Sequence, residues 1–201
     1  MGIAVGTWEA GPWKETLREH ARAAQVVAEF LTHGFDNSTS PYDGNPFSVF
    51  ERNFVLACFC MRRLSEKRLL TDRLNRKTLP FRCFPAVAEN FRPPLLSSTS
   101  NRFYQNYRFD IAGEVSLTVR DFGNEVVHCS HVGVVTDPEL LPAGIVVASD
   151  LRLTSRLIHL TLGEWAELCQ TVLADRVVVQ SDEWDPQTGK VMARRLSRDE
   201  V

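Results

Sequence analysis

The sequence predicts an α+β fold: an N-terminal pair of long helices packed with a mainly antiparallel β-sheet, plus one short C-terminal helix. Three observations predict it. Apolar residues recur at helical spacing through the first third, the period falls to two from Val115 onward, and a capped helix near Thr161 separates two groups of strands. Helices followed by a run of strands argue against an alternating, doubly wound parallel sheet. The 201 residues, 44% hydrophobic and 24% charged, suffice to bury a core without metal or disulfide staples. The reading therefore takes residues 1–201 as one domain, helical over 12–76 and β-rich over 78–201.

The first helix is expected over residues 12–33. Gly11 and Pro12 supply its cap and first position, and Trp13, Leu17, Ala21, Ala24, Ala28 and Leu31 supply its apolar stripe. Gly34 suits the left-handed residue that ends it, and His20 faces the second helix. Residues 35–47 hold Pro41, Gly44 and Pro46 among Asp, Asn and Ser, which is loop chemistry. Ser48 and Glu51 form a capping-box pattern, and Phe50, Phe54, Ala57, Cys58 and Met61 carry a second helix on to about Leu74.

Prolines at 80, 85, 93 and 94 break the chain into irregular structure with one short strand over 81–84. Val115, Leu117 and Val119 then alternate with Ser116, Thr118 and Arg120, and Gly123-Asn124 predicts a tight turn into a strand over 125–131. Further strands are expected over 132–136, 145–148 and 151–160. Thr161 and Glu164 form another capping box, opening a short helix faced by Trp165, Leu168, Cys169, Val172 and Leu173. A hairpin of residues 177–180 and 191–196, turning near 185–189, closes the chain.

Apolar runs fall far short of the roughly 20 residues that cross a bilayer, and the first residues resemble neither a secretory leader nor an acylation signal. A soluble, cytoplasmic protein with no membrane partner is expected. Five cysteines at irregular spacing within apolar segments read as buried free thiols. Cys58 and Cys60 stand two apart on a helix and so point away from one another, which keeps them from sharing a metal. Asp182, Glu183 and Asp185 lack the spacing of a calcium loop, and Gly189-Lys190 lacks the first glycine and the final hydroxyl residue of a phosphate loop. The reading therefore expects no metal and no cofactor.

Charge is the most informative feature. Residues 1–61 carry four cations against seven carboxylates, residues 62–108 eleven against three, and residues 109–201 eight against fifteen, for net charges of −3, +8 and −7. The basic middle holds Arg62, Arg63, Lys67, Arg68, Arg73, Arg76 and Lys77, then Arg82, Arg92, Arg102 and Arg108. Phe81, Phe84, Phe91, Phe103, Tyr104 and Tyr107 are interleaved with them. Cations beside stacking aromatics are what single-stranded nucleic acid requires. The leading expectation is a binding protein for nucleic acid or another polyanion.

Two alternatives stand beside it. A hydrolase or nuclease would draw on His128 and His131, with Asp121 and Glu125 meeting across the hairpin end. On a strand only Cys129 and His131 would share a side unless a bulge intervened. An oligomeric accessory subunit, meeting a protein partner or a second copy, would use the apolar helix face of Trp13, Leu17, Phe50 and Phe54.

Overall fold

The structure is a computed structural model and describes residues 9–33, 45–87 and 103–201. Gly34, most of the loop expected over 35–47, and Arg92 and Arg102 lie outside the described residues. Helices α1 (Ala10–Thr32) and α2 (Pro46–Glu66) pack along one another. Alanines at 21, 24 and 28 leave room on α1 for the phenylalanines of α2, and Phe50 and Phe54 are wholly buried there. His20 does face α2, with its Nδ1 2.8 Å from Asn53 Oδ1.

Both helices begin earlier than expected. Gly11 and Pro12 lie inside the first turn of α1, where the missing proline N–H is one that the helix leaves unpaired anyway. Asn45, not Ser48, caps α2: its side chain accepts from the Phe47 N–H, and Pro46 takes the first helical position. Nor does α2 run on to Leu74. Arg68 adopts φ +54°, the Leu69 N–H donates to Leu64 O at 2.8 Å and the Arg68 N–H to Ser65 O at 3.0 Å. That is a Schellman ending with arginine where glycine is usual. A separate short helix, α3 (Asp72–Arg76), starts from Thr71, whose hydroxyl accepts from the Leu74 N–H.

Five strands form one antiparallel sheet: β1 (Thr78–Pro85), β2 (Gly113–Thr118), β3 (Cys129–Val135), β4 (Gly144–Ser149) and β5 (Arg156–Thr161), in the order β2-β1-β5-β4-β3. Pro80 is tolerated in β1 because β5 pairs with that strand only from Arg82 onward. Strand β5 also starts later than expected, since residues 150–155 are turns. The α+β class is as the sequence predicts.

The expected hairpin at Gly123-Asn124 is not there. Residues Val119–Val127 form a helix, α4, and β2 and β3 stand at opposite edges of the sheet. The Thr118 hydroxyl accepts from the Asp121 N–H at 3.1 Å, and Val119, Phe122 and Val126 recur at helical spacing and are wholly buried. Gly123 lies so close to α2 that a Cβ would come within 3.0 Å of both Arg62 Cβ and Cys58 O. The glycine serves helix packing rather than a turn.

One sheet face lies under α1, α2, α4 and the short helix α5 (Leu162–Ala174), with Phe81, Leu117, Ile145, Val147, Ile158 and Leu160 in a shared core. The capping box of Thr161 and Glu164 opens α5 as expected. On the opposite face Phe84, Tyr107, Val135, Val146, Ala148 and Leu157 form a smaller apolar cluster. The chain ends in a two-stranded hairpin of its own, β6 (Val179–Asp185) and β7 (Lys190–Leu196), turned at Gly189 with φ +64°. No described helix is long and apolar enough to cross a membrane.

Candidate functional site

Arg195 ties the terminal hairpin to the corner where α2 meets α3. It is only 6% exposed, and a guanidinium so placed must be fully bonded to be tolerated. Its Nε donates to Arg68 O at 3.2 Å, its Nη1 to Arg194 O at 2.8 Å and Ser181 O at 3.2 Å, and its Nη2 pairs with Asp182 at 2.8 Å. The backbone N–H of Arg195 donates to Asp72 at 3.1 Å.

Between this corner and β7 lies a groove of about 500 Å³. Glu66, Arg68, Asp72, Arg76 and Arg120 line it from the helices, and Val191, Met192 and Ala193 from β7. Ser65 and Asn75 complete it, bonded to each other at 2.6 Å. The two carboxylates are already engaged. Glu66 accepts from Arg62 Nε at 2.8 Å and faces Arg63 at 3.7 Å, and Asp72 holds the Arg195 N–H. The Arg62 hydrogen bond, helped by the charges of Arg62, Arg120 and Arg63, holds the Glu66 carboxyl below its ordinary range. Arg68, Arg76 and Arg120 form no ion pair among the described residues. The lining thus sets three guanidinium groups against two carboxylates, which leaves it net positive.

The basic segment divides among several places. Arg68 and Arg76 line the groove, and Arg73 and Lys77 are exposed on or beside the same short helix. Lys67 is the half-buried C-cap of α2. Arg62 turns to Glu66, while Arg63 lies 5.8 Å from the Trp13 ring centroid. Arg82 pairs in register with Glu114 and His159 on the sheet face away from these helices, and Arg108 is held by both oxygens of Asp110. Arg102 is outside the described residues, and so is the side chain of Tyr104. Tyr107 is buried in the smaller cluster with its hydroxyl donating to Leu153 O at 2.9 Å, and Phe81 and Phe84 are core residues. None of these three offers a face to a ligand.

Two contributors were missed by sequence reasoning. Arg120 reaches the groove from α4, a helix that was expected to be a strand and turn. The hairpin wall comes from Val191, Met192 and Ala193, far along the chain from the basic segment that ends at Arg108, and no local signal links the two.

The catalytic candidates do not assemble. Asp121 accepts from the Thr118 hydroxyl at 2.7 Å as part of the α4 cap. Glu125, one helical turn on, pairs with Arg156 at 2.5 Å and accepts from the Ser149 hydroxyl. His128 is an exposed C-cap whose Nε2 lies 3.4 Å from Arg62 Nη1. A bulge between Cys129 and His131 puts them on opposite faces: Cys129 packs against the helix-side core, while His131 pairs with Ala148 toward the smaller cluster. Burial lowers the proton affinity of His131, whose Nδ1 lies 2.5 Å from Ser130 O.

All five cysteines are free, but only Cys58, Cys60 and Cys169 are buried; Cys83 and Cys129 are half-buried, contrary to expectation. Burial pushes the Cys60 thiol up to about 11 and that of Cys58 well above its ordinary value, so both stay protonated as small core residues. Leu17, Phe50 and Phe54, expected as an oligomer face, are wholly buried within the chain's own core. No group of three or more His, Cys, Asp or Glu among the described residues is placed to hold a metal ion. No family model, no curated protein and no solved structure matches this chain.

Proposed function

We propose that the protein works by binding, and that the groove between the α2–α3 corner and β7 takes nucleic acid or another phosphate-rich polyanion. One observation carries the reading: Arg68, Arg76 and Arg120 come together from three helical segments without an ion pair, while both carboxylates beside them are engaged. Guanidinium is suited to phosphate because its planar fork matches two oxygens and it stays charged at any working pH. Each phosphate so neutralised releases counterions, which makes affinity fall with salt.

Three such contacts predict a slope of about −2 in log K against log salt for a single strand, or about twentyfold between 50 and 200 mM. The test is a titration of labelled single-stranded RNA, single-stranded DNA and duplex DNA at several salt concentrations. Salt-sensitive binding of at least one is expected. Absence of such binding to all three overturns the proposal.

A further inference from the structure

We infer that the groove is built for single-stranded nucleic acid, with one unpaired base stacked on Trp184 while the flanking phosphates meet Arg68, Arg76 and Arg120. This rests on the polyanion reading and adds the ligand class and the second half of the site. Trp184 is 64% exposed, unusual for the residue with the largest apolar surface to lose. In the hairpin it pairs directly with Val191, and the next pair inward on that face is Asp182 with Ala193, followed by Gln180 with Arg195.

The groove is bordered by β7 residues of both hairpin faces, Val191 and Ala193 of this face and Met192 of the other, and Trp184 stands across the hairpin from Val191. From the face of Val191 and Ala193, Arg195 reaches Arg68 O. At its inner end the face is closed by the buried Arg195, and toward the tip it opens where Trp184 and Val191 stand exposed. Val191 can support one side of the indole, which leaves the other side to a planar ligand.

Two of the three carboxylates at the hairpin tip are already engaged. The tip carries Asp182, Glu183 and Asp185, which would repel phosphate if they faced the groove. Asp185, on the face of Glu183 and Met192, is occupied by the Gln187 N–H and the Thr188 hydroxyl. Asp182 is on the face of Trp184 and Val191, and Arg195 neutralises it at 2.8 Å. The groove thus has an apolar wall of Val191, Met192 and Ala193 opposite three guanidinium groups that form no ion pair among the described residues, with the exposed Trp184 beside that wall. A single strand supplies both partners, because its bases are free to leave the stack; in a duplex the base faces are covered, and an acidic peptide carries no base to stack.

The experiment measures a labelled 15-residue oligouridylate by fluorescence anisotropy, with duplex DNA, inorganic polyphosphate and a glutamate 15-mer as unlabelled competitors. Trp184→Ala should weaken oligouridylate binding by about tenfold, the usual effect of removing one stacked base. Trp184→Phe should restore most of that loss, and polyphosphate should compete equally well against both variants. If Trp184→Ala leaves oligouridylate affinity unchanged while Arg76→Gln and Arg120→Gln weaken it, the stacking assignment falls and the basic groove stands. If the native protein binds neither oligouridylate nor polyphosphate, the polyanion reading itself falls. A glutamate 15-mer or a duplex competing better than unlabelled oligouridylate assigns the groove to an acidic protein segment or to paired DNA, and overturns the inference.

Discussion

Arg68 closes α2 at φ +54°, a left-handed backbone that costs an L side chain about 1 kcal/mol or more, and the same residue lines the groove. Strain of this kind persists where neighbouring structure fixes the conformation, and here the Arg195 guanidinium grips the Arg68 carbonyl. Arg68→Gly removes the strain and keeps the main-chain bond. It should raise the urea midpoint by an amount equivalent to about 1 kcal/mol while weakening polyanion binding severalfold. A lower midpoint would show that the arginine contributes more to folding than its backbone conformation costs. At this scale the sequence was partly legible: the burial of the helical thiols Cys58, Cys60 and Cys169 and the turn of His20 toward α2 follow from apolar spacing, whereas Cys83 and Cys129, on strands, are only half-buried. The end of α2 was not, because the residue that breaks it is an arginine and the usual glycine signal is missing.

Elements with their own start signals were readable. The Thr161 and Glu164 box marks α5, and Gly189 marks the last turn. Helix α4 was misread because a nine-residue element offers few periods, and Val115 to Val119 also alternates as a strand should. What decides is packing: Phe81 and Phe122 rings stack at 4.8 Å, and α4 seats Gly123 directly on the Cys58 carbonyl of α2. A glycine inside a helix is ordinarily improved by a larger residue, since it carries the greatest backbone entropy cost. Gly123→Val should do the reverse and destabilise by about 2 kcal/mol in chemical denaturation, because a backbone carbonyl blocks the new methyls. A neutral or stabilising result would mean that α4 does not sit against α2 this closely.

Over the whole molecule, the +8 of residues 62–108 does not become one patch. Folding sends Arg82 to the far face of the sheet, locks Arg108 to Asp110 and turns Arg62 and Arg63 toward Glu66, then adds Arg120 and the β7 wall from elsewhere. Linear charge could therefore point to a polyanion but not to its seat, which depends on contacts between residues far apart in the chain. The measurement that tests this most directly is the salt dependence of oligonucleotide binding by Arg120→Gln beside Arg108→Gln. Loss of one phosphate contact should flatten the slope by about 0.7 for Arg120→Gln and leave Arg108→Gln at the native value. A native slope for Arg120→Gln together with a flattened one for Arg108→Gln would contradict the groove.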